Sequence, residues 1–274
     1  MKKKIFLLIL IFLNFSFAFS EEYIFEGKKY INYIEQYYQF NDGFFECYLY
    51  DDDIQDYKKT AYPCEIKKEG PYLVANIKMD NSINKIYIFS ADENHMIMYD
   101  SNSKDTILTT LLIGHRDESW IYSINNARAS SYLSEELKGN IVEYKPKNLE
   151  INDLSLSWVE GVDGFGKGEV ISFNNVGNGS RKIYIINGFF YPENPQLFYD
   201  NNRIKTLKIN CYKNGILEKT EYRTLQDTGE MQLLEFSERY TSFDFIIEDV
   251  YQGKRFDDTA ITGIFVDALD LYKN

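Results

Sequence analysis

From Phe44 onward the apolar residues recur at every second position in short runs, and clusters of turn-forming residues cut each run off. That pattern suits half-buried strands and leaves little room for long amphipathic helices. The first runs are Phe44 to Tyr50, Pro71 to Lys78, Lys85 to Ser90, His95 to Tyr99 and Thr106 to Ile113. Lys68-Glu-Gly-Pro71, Met79-Asp-Asn-Ser82 and Asp100-Ser-Asn-Ser103 lie between them, which predicts an antiparallel meander. After a Gly-rich stretch the runs resume at Glu169 to Asn174, Lys182 to Asn187 and Ile204 to Tyr212. They continue at Arg223 to Leu225, Met231 to Phe236, Ser242 to Asp249 and Ala260 to Val266, at the spacing of an all-β sandwich. Two segments break the pattern. Tyr30, Tyr33, Ile34, Tyr37 and Tyr38 fall on one helical face, so a short amphipathic helix is expected over about Lys29 to Phe40, ended by Asn41-Asp42-Gly43. Ser130-Ser131 followed by Glu135-Glu136 suggests a capped short helix, or a turn, ending at Gly139.

The first twenty residues read as a signal peptide. Lys2-Lys3-Lys4 precede an apolar run, Ile5 to Phe19, and Ala18-Phe19-Ser20 offers a cleavage site before Glu21. The run is shorter than the ~20 residues of a membrane span, so an exported protein with no span after cleavage is expected, periplasmic or extracellular. The remainder divides into a small β-rich unit with one short helix, 21–124, and a sandwich, 125–274. The whole chain carries a formal charge of −12, which loss of the three lysines makes more negative. A nucleic-acid partner needs a basic face and is therefore not expected. Export permits a disulfide between Cys47 and Cys64, with Cys211 left as a buried apolar side chain; three unpaired thiols are the close second reading. Asp51-Asp52-Asp53 lacks the alternating ligands and turn glycine of a calcium loop and reads as a solvated acidic loop.

Trp158-Val-Glu-Gly-Val-Asp-Gly-Phe-Gly-Lys-Gly-Glu169 holds four glycines. A phosphate cradle needs such glycines to open a helix, and here they open a strand. A turn packed over Trp158 comes first, and a ligand-facing rim second. With two histidines, His95 and His115, and no nucleophile elbow, no catalytic residue is nominated. No metal and no cofactor are expected. His115-Arg-Asp-Glu118 reads as a surface loop. A hydrolase with an unrecognised carboxylate pair stays open, since 42 acidic residues leave many pairs to choose from.

Several segments occur in an order that carries a resemblance. They are Ala129-Ser130-Ser131-Tyr132-Leu133, Tyr144-Lys-Pro146-Lys-Asn148-Leu149, the Trp158 to Glu169 stretch, Ile186-Asn187-Gly188-Phe189 and Tyr199-Asp-Asn-Asn202-Arg203. Leu225-Gln-Asp227, Gln232 and Asp249-Val-Tyr-Gln-Gly253-Lys-Arg-Phe-Asp257-Asp258-Thr-Ala-Ile261 complete the set. From about Ala127 to Val266 the chain resembles the glycan-binding (translocation) domain that accompanies bacterial NAD glycohydrolases, related to discoidin F5/8 type C modules. The resemblance implies a galactose-binding-like jelly roll and a non-catalytic binding module; it does not reach Glu21 to Asn126, and NAD hydrolysis is not transferred. Ile151-Asn152, Leu156 and Gly263 stand where relatives carry acidic or hydroxyl residues, so the structural calcium of many such modules is not expected.

Loops at one end of a jelly roll form its usual rim. The candidate ligand-binding residues are Trp158, Glu160, Asp163, Phe165, Arg203, Tyr251, Asp257 and Asp258. Each also has a structural reading: Trp158 as core, the aspartates as loop staples, Arg203 as the internal partner of Asp249, Asp257 or Asp258. Phe165, an apolar tip between two glycines, is the hardest to bury. The expected partner is a glycan or cell-surface glycoconjugate. Envelope protein–protein interaction or scaffolding without sugar binding is the alternative.

Overall fold

A computed structural model describes residues 23–32, 34–111, 120–150, 153–175 and 179–268. The expected signal peptide, Tyr33, the His115 loop and the Ile151-Asn152 departure lie outside the described residues. The fold is mainly β, as expected. Eight strands close an antiparallel barrel: β1 (Lys29–Ile31), β2 (Tyr37–Asn41), β3 (Phe44–Asp51), β4 (Asp56–Glu69), β5 (Tyr72–Met79), β6 (Ser82–Ser90), β7 (His95–Asp100) and β8 (Asp105–Leu111). Closure comes from β1 pairing with β8, with Tyr30 opposite Leu111 and Ile31 opposite Thr110. Alternate residues fill the lumen, among them Tyr30, Tyr38, Phe40, Phe45, Ala75, Ile77, Ile86, Ile88, Met96 and Met98, with Phe25 packed on them.

The helix expected over Lys29 to Phe40 is a hairpin. The Asn32 side chain accepts hydrogen bonds from the amides of Ile34 (3.2 Å) and Gln36 (2.9 Å), and Glu35 takes a left-handed φ of 61°. This local alternative competes with a helix, and aromatic residues favour the strand. Tyr30 and Tyr38 sit opposite one another across β1 and β2 and both face inward, so a spacing of eight satisfies either structure. Cys47 and Cys64 are free. Cys47 lies opposite Thr60, four residues before Cys64 on the same strand, hence roughly 13 Å away. A disulfide requires Cα atoms within about 7 Å. Cys211 is buried, as expected.

The remaining strands build a sandwich: β9 (Trp120–Ser123), β10 (Asn125–Ala129), β11 (Ser134–Leu137), β12 (Asn140–Glu143), β13 (Trp158–Val159), β14 (Val170–Asn174), β15 (Ser180–Asn187), β16 (Arg203–Lys213), β17 (Ile216–Thr224), β18 (Met231–Tyr240), β19 (Ser242–Tyr251) and β20 (Ala260–Ala268). One sheet runs β10-β14-β19-β16-β17 and the other β13-β20-β15-β18, with β9 pairing β20. Their facing residues interlock in one core that includes Trp158, Ile171, Phe173, Ile183, Ile185, Leu207, Phe243, Phe245 and Val266. The segment expected as a capped helix after Ser130 is the β11–β12 hairpin. Lys138 (φ 52°) and Gly139 (φ 80°) both take positive φ, as a type I′ turn requires, so the turn at Gly139 stands and the helix does not. The one α-helix among the described residues is α1 (Leu197–Asp200), far from where a helix was expected.

The barrel lies against the outer surface of the β13-β20-β15-β18 sheet. Tyr72, Val74, Tyr87, Phe89, Ile97 and Tyr99 from the barrel pack on Tyr184, Ile186, Phe190, Phe198, Met231 and Phe265. Phe190 is the hub: its ring meets Tyr72 (5.0 Å), Tyr87 (5.1 Å), Phe89 (5.4 Å) and Tyr99 (5.3 Å) edge to face. The Tyr184 phenol lies 2.8 Å from both Asp92 Oδ2 and His95 Nδ1. Against the cost of burial, its contacts with His95 and Tyr184 hold the Asp92 carboxyl down at about 2.

Candidate functional site

All eight candidate residues lie at one end of the sandwich, because β14, β16 and β20 begin there and β10, β15 and β19 end there. Their side chains divide sharply. Trp158 is fully buried and its indole N–H donates to the Ser131 carbonyl (3.1 Å), so its ring is core. Glu160 is also fully buried. Its two oxygens accept from the amides of Val162 (2.8 Å) and Thr259 (3.3 Å), tying the Gly-rich loop to the start of β20. Burial dominates its ionisation and pushes its pKa up to about 7 in spite of those amides, with Asp258 and Glu169 adding repulsion.

Two glycines of the loop are dictated by close approach. A Cβ on Gly161 would sit 2.3 Å from the Tyr132 carbonyl oxygen, and one on Gly166 (φ 69°) 2.7 Å from Glu160 Cγ. Glu169 is held by the hydroxyls of Ser130 and Ser131, which fixes the other end of the loop. Phe165 is half-buried against the core rather than projecting, and the Thr259 hydroxyl holds its carbonyl (2.8 Å). Asp163 is exposed at the loop tip.

Arg203 is buried and points inward. It meets Asp227 in a bidentate pair (2.9 and 2.8 Å) and donates to the Asn201 (2.9 Å) and Gln252 (3.3 Å) carbonyls. Its partner is thus Asp227 and none of the three aspartates considered from sequence; Asp249 pairs with Lys205. Gln226 and Gln232 exchange backbone–amide hydrogen bonds that set the loop carrying Asp227. Asn202 joins the same brace: its side chain donates to the Asp257 carbonyl and accepts from the Gly253 amide. Tyr251 is half-exposed, its hydroxyl donating to the Leu225 carbonyl (3.0 Å). Most of the segments that carry the resemblance therefore form a scaffold beneath the loops.

What the rim exposes is a mixture of carboxylates and tyrosines. Asp257 is exposed and Asp258 half-buried. Burial and the neighbouring Glu135 and Asp257 raise the Asp258 carboxyl above its usual range. Glu135 accepts from the Tyr144 hydroxyl (2.9 Å), and the Tyr144 ring packs edge-on against Phe189 (5.7 Å). Tyr132 and Tyr191 are exposed beside them. Tyr132, Tyr144 and Phe189 belong to the segments that carry the resemblance but are not among the candidates from sequence; they sit on irregular segments where periodicity says nothing about facing. A Cβ on Gly263 would lie 2.6 Å from the tip of the Phe265 ring, so a side chain there requires that ring to shift. No group of three or more His, Cys, Asp or Glu residues that could hold a metal occurs among the described residues.

Such an end, with carboxylates and phenols to accept and donate hydrogen bonds and ring edges between them, can engage a polyhydroxylated ligand. The family model for the NAD glycohydrolase translocation F5/8 type C domain matches residues 120–267, more than half of the chain. The chain belongs to this family. The translocation domain spans the whole sandwich from β9 to β20 and excludes the barrel. Solved structures similar to the translocation domain include a CBM32 module from Clostridium perfringens in complex with GalNAc-β-1,3-galactose, at 13% identity and TM-score 0.39, covering 52% of this chain and 94% of that one. The family 32 CBM of C. perfringens NanJ, in complex with galactose, aligns at 14% identity and TM-score 0.37 over 53% of this chain and 98% of that one. A putative chitobiase fragment from Bacteroides thetaiotaomicron aligns at 11% identity and TM-score 0.39 over 47% of this chain and 77% of that one. A search of the curated proteins finds no match. No helix among the described residues is long and apolar enough to cross a membrane.

Proposed function

We propose that this is an exported, non-catalytic protein that binds carbohydrate through the rim of its sandwich. The observation that carries the reading is the sorting of side chains at that end. Trp158, Glu160 and Arg203 are consumed internally as a rigid support, while Asp163, Asp257, Asp258, Tyr132, Tyr144 and Tyr191 stay at least partly open to solvent. Half-exposed Phe165 and Tyr251 flank them. Rigid support beneath open polar and aromatic groups is what hydroxyl recognition needs, because a pre-positioned group loses little entropy on binding. The resemblance supports the reading, since it implies a glycan-binding module.

The test is a glycan array probed with the full chain, followed by calorimetry on the best ligand. Asp257→Asn and Tyr191→Ala should each weaken binding about tenfold, the effect of losing one good contact of about 1.4 kcal/mol. Silence across the array, or binding indifferent to both changes, would sink the proposal. One observation favours a protein partner instead: the β3–β4 hairpin exposes Leu49, Tyr50 and Ile54 together. Stoichiometric capture of one envelope protein, unaffected by free sugars and lost on Ile54→Asp, would establish that second reading.

A further inference from the structure

The rim leaves one broad surface unused. The barrel covers the outer surface of one sandwich sheet, and among the described residues no hydrophobic cluster packs on that of β10-β14-β19-β16-β17. The strand register aligns Arg128, Ser172, Asp244, Asn210 and Thr220 opposite one another across all five strands. The row is wired together. Ser172 donates to one oxygen of Asp244 (2.6 Å) and the Tyr212 hydroxyl donates to the other. Asn210 accepts from the Thr220 hydroxyl (2.9 Å). Arg128 ends the row, exposed and with no side-chain partner among the described residues. A shallow cleft of about 420 Å³ lies over Asn126, Arg128, Ser172, Asn174, Tyr212 and Asp244. On the next row Lys208 stands opposite Tyr222, which is 61% exposed.

We propose that this open sheet face is a second carbohydrate-binding surface, which takes the interior of an extended neutral oligosaccharide laid across the strands; the proposal rests on the carbohydrate reading of the rim. Three features select that ligand. Donor-rich groups (Arg128, Asn210) stand on either side of two acceptors (Ser172, Asp244), and a sugar hydroxyl both donates and accepts. Each Asp244 oxygen accepts one hydrogen bond within the row and keeps a lone pair for another. The positions are spaced at about 4.8 Å, the strand separation, close to one pyranose ring. A central carboxylate disfavours acidic glycans, and a chain of net charge −12 disfavours nucleic acid. Because the internal network holds these side chains in place, they act as a preformed floor, with Tyr212 beneath the chain and Tyr222 at its edge.

The two surfaces predict different length dependence. A rim of loops meets a short terminal segment; a row five strands wide gains with each added sugar. Calorimetry on the full chain with cellohexaose, xylohexaose and chitohexaose, each beside its disaccharide, separates them. At least one hexaose should bind ten-fold or more tighter than its disaccharide. Arg128→Ala and Asn210→Ala should each weaken the hexaose about tenfold, and Arg128→Ala should leave the unfolding midpoint unchanged because that side chain is exposed and unpaired. Saturating disaccharide should leave hexaose binding in place. The proposal is overturned if no hexaose outbinds its disaccharide, if binding survives both substitutions, or if the disaccharide displaces the hexaose. In those cases terminal-sugar binding sensitive to Asp257→Asn would still stand or fall on its own.

Discussion

Glu160 makes the sandwich sensitive to pH in a direction opposite to that of an ordinary carboxylate, and Glu160→Gln isolates the effect. In the folded chain the group titrates at about 7 instead of 4.5, because its carboxyl is buried beneath the Gly-rich loop. Between those values the native state retains a proton that the unfolded state has released. Stability contributed by the protonated form is therefore full below the unfolded value and is lost as pH rises through the folded value. The displacement corresponds to about 3 kcal/mol. Glutamine keeps the shape but has one acceptor oxygen where two amides, Val162 and Thr259, need one each. The variant should thus be less stable than the parent at about pH 5 by about 1–2 kcal/mol, the cost of one unsatisfied amide. By about pH 8 the parent has lost its protonated form and the order should reverse, the variant leading by a similar amount. Equilibrium urea unfolding at both pH values measures the difference, with other titrating groups cancelling between the two proteins. A parent–variant gap that stays constant across this range, or widens in the parent's favour at high pH, would refute the argument.

The seam between barrel and sandwich gives a second expectation. Phe190→Ala should cost about 3–5 kcal/mol and split thermal unfolding into two transitions, because four barrel rings lose their shared contact. Arg203→Lys should destabilise by about 2–3 kcal/mol in denaturant titration, since one ammonium cannot reproduce a bidentate carboxylate pair and two carbonyl contacts. At the acid end Asp92→Asn should blunt the loss of stability as pH falls from about 4 towards 2, because a lowered carboxyl stabilises above its unfolded value and stops doing so as it protonates. Mild oxidation should leave Cys47 and Cys64 unlinked within the chain, which thiol counting under denaturing conditions checks.

Much of this architecture is written locally. The strands from Phe44 to Tyr50 and from Lys85 to Tyr99, and those after Glu169, follow from alternation and turn residues, and the order of motifs from Ala129 to Ile261 points to the sandwich. The continuous apolar runs Ile86 to Phe89 and Ile183 to Ile186 also carry the mark of strands covered on both faces, which is where the barrel and sandwich meet. β4 is harder to see: its inward residues Tyr62, Cys64 and Ile66 are only half-buried, Pro63 and Glu65 stand between them and pairs of lysines flank them, so its alternation is faint. Barrel closure rests on the pairing of first and last strands, about eighty residues apart, and no local signal encodes it. At the rim the limit is different. Residue type announces a carboxylate or an indole but not the direction in which it points. Glu160 and Arg203 look like ligands in one dimension because an internal brace and a binding site draw on the same chemistry.

The turn after β15 belongs to both halves of the molecule at once. Phe190 faces the barrel while Phe189 packs on the rim's Tyr144 and Tyr191 stands in solvent beside it. Two barrel phenols, Tyr72 and Tyr87, grip the carbonyls of Phe189 (3.1 Å) and Pro192 (3.0 Å) from below. The N-terminal cylinder is thereby a strut for the far end of its neighbour. The two hydroxyls and the rings around Phe190 tie one to the other, so cutting the cylinder away removes the support of the very surface that a truncated fragment would be made to study.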